Sequence, residues 1–242
     1  MPKRKIRRSG KNGLSVKISK FKSKFSRIEV EHIAIAWIVL AFAFAFLLER
    51  NVASVTFAFV FLATAIVLFC GFIMHELMHK FTAQKYRYFA EFRIWPAGIM
   101  FALLTAYFGF IFAAPGATYF EPDQREYILD PKGFTRRYGE ISLAGPRINI
   151  LFGLLFLTLF YVTLLLTHGT ISSLFTSFVF LVTGLGAFIN FYLCAFNMLP
   201  INPLDGYKVF RWDKRIWAAF FLSSVAVSAM MILGVIPVLQ AL

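Results

Sequence analysis

Charge is scarce in this chain: only 15% of its 242 residues are Asp, Glu, Lys or Arg, against 59% that are hydrophobic. A soluble domain of this length needs more polar surface than that, so lipid is the expected solvent for most of it. Cysteine is nearly absent. Cys70 and Cys194 lie in apolar segments, read as packing residues, and say nothing of redox compartment. Acidic residues are missing from the first 27 positions, which hold eleven Lys or Arg. The remaining 14 basic and 12 acidic residues almost cancel, so the net charge of +13 belongs to this tail. A tail of this kind before an apolar run is expected to lie on anionic lipid headgroups and to keep the N-terminus cytosolic. Nucleic acid is not the expected partner. The first apolar run leads into Glu49-Arg50-Asn51 with no small-residue cleavage site, so a secretory signal peptide is not expected. No internal repeat and no second soluble domain is visible.

What the chain has in abundance is apolar length. Five runs, about 32–48, 53–79, 143–167, 173–199 and 216–240, approach or exceed the roughly 20 residues that span a bilayer as a helix. The expected fold is an all-α polytopic membrane protein of five to six transmembrane helices. Residues 1–30 form a basic cytosolic tail, expected to be disordered, and 31–242 a membrane-embedded domain. A sixth apolar stretch, 95–116, is rich in aromatics and ends in Ala-Ala-Pro-Gly, a turn signal. Residues 117–138 read as a polar juxtamembrane loop. Charge decides how 95–116 runs. If it enters and leaves on one side, 24 of the 25 Lys and Arg fall on the cytosolic face and only Arg50 does not. A single crossing would put Glu76 and Asp205 at opposite faces. The stretch is therefore expected to be re-entrant, which lipid tolerates only where protein covers the backbone or a wet cavity adjoins it.

Two acidic residues, Glu76 and Asp205, lie deep in or beside the apolar runs, where ionisable groups are costly and point to function. Glu76 belongs to His75-Glu76-Leu77-Met78-His79 at the end of the second run. Histidines at i and i+4 share one helix face and can bind one metal. The adjacent carboxylate can then serve as general base on a metal-bound water. A third ligand must lie at the same depth. Asp205 fits, in Asn197-Met198-Leu199-Pro200-Ile201-Asn202-Pro203-Leu204-Asp205-Gly206. A plain Pro/Asp/Gly turn is the alternative for that sequence taken alone.

H-E-x-x-H on one span and N-x-x-P-x-x-P-L-D-G after a later one resemble the site-2 protease family of intramembrane zinc metalloproteases. Ala144-Gly145-Pro146-Arg147-Ile148-Asn149 resembles that family's G-P-x-x-N segment. The resemblance covers about 33–206. It implies one zinc held by His75, His79 and Asp205, with Glu76 as base. It also implies that Asn197 positions substrate or the oxyanion and that Asn149 contacts the substrate backbone. The re-entrant stretch would correspond to the family's β-loop, a possible β-hairpin that offers an edge to an unwound substrate. The implied partners are membrane-protein substrates, cut in or near their transmembrane segments. Met78 departs from the family, which often has a small residue before the second His. No PDZ-like or CBS-like domain is visible. The readings from other classes are a structural metal site, a metal transporter, or an inactive homologue. A transporter should spread polar groups through several spans, whereas here they cluster at one depth.

Overall fold

The computed structural model describes residues 25–122, 124–170 and 173–236. Most of the basic tail lies outside the described residues, as do Asp123 of the polar loop and the end of the last apolar run. Nine α-helices and two strands are described: α1 Arg27–Leu48, α2 Val55–Leu68, α3 Met74–Lys85, β1 Phe89–Ile94, α4 Pro96–Tyr107, β2 Gly116–Glu121, α5 Gln124–Leu129, α6 Pro131–Leu166, α7 Leu174–Asn197, α8 Asp205–Trp212 and α9 Lys214–Ile232. A π-helical turn, Phe69–Ile73, joins α2 to α3 into one 31-residue rod. That rod and α1, α6, α7 and α9 are the five helices long and apolar enough to cross a membrane, and the chain is a multi-pass membrane protein.

Three boundaries differ from the sequence reading. Ser26 caps α1 by accepting from the Glu29 N–H at 3.0 Å, so residues 27–30 are helix rather than tail. The charged residues after Pro131 continue as helix: α6 has 36 residues, about 54 Å, and only its second part is apolar. The polar loop therefore shrinks to α5 and its flanks. Asp130 caps α6 by accepting from the Gly133 N–H, and Pro131 fits the first turn, where no N–H is needed.

The stretch 95–116 does not cross. Its ends meet in an antiparallel pair, with Ile94 opposite Gly116 and Phe89 opposite Glu121. Between them α4 has 12 residues, about 18 Å, too short to span a hydrocarbon core of about 30 Å. The dip is nonetheless deep. At its tip the Tyr107 carbonyl accepts from Arg50, beyond the far end of α1. Its return limb is tied to α7, where Tyr192 donates to the Ile111 carbonyl. Helix α7 is the most buried span and α9 the least: the rod, α6 and α9 pack against α7, and α1 packs against the rod and α4.

Candidate metal centre

Helix α3 buries His75, Glu76, His79, Lys80 and Ala83 on one face, the 3.6-residue stripe that its neighbours α6 and the strand pair cover. Both imidazoles are turned the same way. His75 donates through Nδ1 to Asn149 Oδ1 at 2.5 Å, and His79 through Nδ1 to the Ile141 carbonyl at 2.7 Å. Each Nε2 is left with its lone pair aimed inward, which is how a second partner fixes a metal-binding tautomer. The two Nε2 atoms are 2.9 Å apart.

Asp205 reaches them from the other side. Helix α7 ends at Asn197, the chain turns through two prolines, and Asp205 opens α8. Trp217 pins this turn by donating to the Met198 carbonyl at 2.7 Å. A Cβ on Gly206 would stand 2.1 Å from the same carbonyl, so only glycine lets α8 start this close to the end of α7. Asp205 Oδ2 then lies 3.0 Å from His79 Nε2 and 3.4 Å from His75 Nε2.

Three electron-rich atoms thus converge within 4.8 Å of one another, from residues that are all buried. Ligand atoms about 2.1 Å from a tetrahedral zinc stand about 3.4 Å apart, and the observed set is close to that. The space they enclose is kept clear by Gly145, where a Cβ would sit 2.5 Å from both Nε2 atoms. The sequence reading quoted this glycine within a motif and gave it no role.

Glu76 is next to the group but turned away from it, towards β2. Its Oε2 accepts from Thr118 N at 2.9 Å and Thr118 Oγ1 at 2.8 Å. Thr118 went unnoticed in the sequence because nothing marks one threonine in an aromatic stretch. Glu76, Thr118, Asn197 and Asp205 all line one cleft of about 580 Å³, with Trp95 and Tyr119 on its walls. Asn197 donates to its own helix at the Leu193 carbonyl, 3.0 Å away. Asn149 does not line the cleft. It is fully buried, and its amide is spent on His75, on the Gly71 carbonyl at 2.7 Å and on Asn190 Oδ1 at 3.2 Å. Asn149 thus fixes the orientation of the His75 ring. Asn190, also fully buried, and the π-helical turn that presents Gly71 were not foreseen either.

Glu29 is a further correction. The sequence reading counted only Glu76 and Asp205 as deep acidic residues, yet Glu29 is 1% exposed and ion-paired with Lys80, itself 1% exposed. Its other oxygen accepts from Phe92 N at 3.1 Å, tying α1, α3 and β1 together beside the metal-ligating face.

No family model matches the chain, and no solved structure matches it. A Methanocaldococcus jannaschii protein, provisionally named a zinc metalloprotease, is 36% identical over 196 residues, covering 81% of this chain and 90% of that protein. With this likeness added to the H-E-x-x-H helix and the Asp205 turn, the chain belongs to the site-2 protease family of zinc metalloproteases.

Proposed function

We propose that the protein is an endopeptidase that hydrolyses peptide bonds of membrane proteins within or at the edge of the bilayer. The single observation that carries this is the convergence of His75, His79 and Asp205 beside Glu76, at the wall of an open cleft among membrane-spanning helices. His75, His79 and Asp205 would hold zinc, which would supply a Lewis acid for the scissile carbonyl and lower the pKa of bound water towards neutrality. Thr118 occupies Glu76 Oε2 and so leaves Oε1 to take the proton of the attacking water and deliver it to the leaving amine. Asn197 stands in the cleft as a donor for the developing oxyanion.

Strand geometry favours β2 as the place where substrate lies. Thr118 N points away from β1, and alternation puts the backbone groups of Gly116 and Phe120 on that same side, facing the cleft. The outer edge of β1 is already used, with Phe92 N donating to Glu29 and Ile94 N to His32. A helical substrate hides its backbone groups in its own i to i−4 bonds. Unwinding is therefore needed before an added strand can form along β2, and segments with helix-breaking residues are preferred. The one-sided basic charge of the re-entrant arrangement supports a cleft that opens, like the N-terminal tail, on the cytosolic face.

The membrane proteomes of cells making the native protein and the Glu76→Gln form test this reading. Membrane-protein fragments ending in or beside a transmembrane segment are expected only with the native protein. Identical fragment sets in the two would refute it.

A further inference from the structure

On the outer face of the α3–α6 pair lies a second groove, of about 340 Å³, that takes no part in the metal group. Met78, Thr82 and Lys85 form one wall, and Arg147, Ile148 and Leu151 the other. Arg147 is rooted on α6 between Ile141, which binds His79, and Asn149, which binds His75. It therefore starts at the depth of the two histidines, inside an apolar span, and its side chain is exposed. Leu151, one turn further in, is 59% exposed and Leu154 51%, so this face of α6 meets lipid.

A guanidinium facing lipid is costly without a counter-charge. Among the described residues Arg147 has no carboxylate within ion-pair distance, and neither does Lys85. The one acid that lines the groove, Glu140, is bound by Arg136 Nε at 2.7 Å and by the Tyr86 hydroxyl. Two cations thus share a groove whose one lining acid feels the Arg147 charge at a distance but gives its contacts to Arg136 and Tyr86, over a floor of aliphatic side chains. An anion with an apolar tail matches both halves.

We propose that this groove binds one anionic phospholipid. Its phosphate is held by Arg147 and Lys85, with the Thr82 hydroxyl as a further donor, and an acyl chain lies along Met78, Ile148 and Leu151. Lys85 ends α3, and the long Arg147 side chain, rooted deeper on α6, reaches outward into the same groove towards the headgroup layer. Met78 gains a role from this. It stands where the family often has a small residue, and its flexible thioether lines the groove instead of pressing on a neighbouring helix.

The test uses the full-length protein in nanodiscs of phosphatidylcholine with a minority of phosphatidylglycerol, released into the gas phase for native mass spectrometry. The native protein is expected to retain one phosphatidylglycerol in preference to phosphatidylcholine. Arg147→Gln and Lys85→Gln should each weaken retention about fivefold and the double variant about 25-fold. The Arg147→Lys/Lys85→Arg variant keeps both charges and should retain the lipid, which separates charge from misfolding. The basic tail is intact in all of these, so its bulk attraction to lipid cancels. Inorganic phosphate at millimolar concentration should not displace the retained lipid. Equal retention by native and double-Gln proteins would overturn the site, and full displacement by phosphate alone would overturn its assignment to a lipid.

Discussion

Two polar clusters sit on one face of α3, within a turn of each other, and burial treats them differently. Lys80 and Glu29 cancel each other's charge and share their remaining capacity with Phe92 N and the Phe25 ring, 4.3 Å from Lys80 Nζ. That cluster is complete from the chain's own atoms. His75, His79 and Asp205 bring two lone pairs and a carboxylate to one point, with every outward-facing imidazole nitrogen already hydrogen-bonded. That cluster could hold a metal ion. Buried polarity alone marks neither as functional. What distinguishes them is whether the charges close, and the unclosed one is the one that faces the cleft.

The comparison breaks most severely at Gly145. Gly145→Ala places a methyl group where the histidines meet the metal, and zinc affinity is expected to fall by about 100-fold or more, with activity. Metal titration of the purified variant checks this. The closed cluster should respond in the opposite manner, in stability and not in metal. Lys80→Met alone strands Glu29 and should cost about 3–5 kcal/mol, whereas Lys80→Met with Glu29→Leu should cost less, about 1–3 kcal/mol, because both charges go together and only the Phe92 N–H loses its acceptor. Thermal unfolding in detergent separates the two, and zinc content should be unchanged in the double variant. The smallest effect is expected at Thr118. Thr118→Val keeps the backbone donor to Glu76 but loses the hydroxyl, and turnover should drop about tenfold with zinc retained. Thr118→Ser should restore it.

The grouping of His75, His79 and Asp205, with Glu76 beside it, was legible because these are rare residue types at meaningful spacing: two of four histidines at i and i+4, and a carboxylate beside a helix-breaking turn. The re-entrant path was legible from charge, since one crossing would have left at least eight Lys and Arg in the outer loops. What holds the site together was not legible. Asn149, Asn190, Thr118 and the Ile141 carbonyl act through contacts between elements far apart in sequence, and polar residues of these types occur throughout the chain without such partners. Glu29 escaped notice because the basic tail hid it. Four positions after Phe25 and just past the last Lys-rich segment, it reads as a flanking charge until α3 supplies Lys80. The length of α6 was missed because hydropathy marks only the apolar part of a helix that continues beyond it.

Zinc content of the purified full-length protein tests the central claim most directly. The native chain and the Lys80→Met/Glu29→Leu variant are expected to carry about one zinc each, and the His75→Ala/His79→Ala variant none. Stoichiometric zinc in the double-histidine variant would contradict the account.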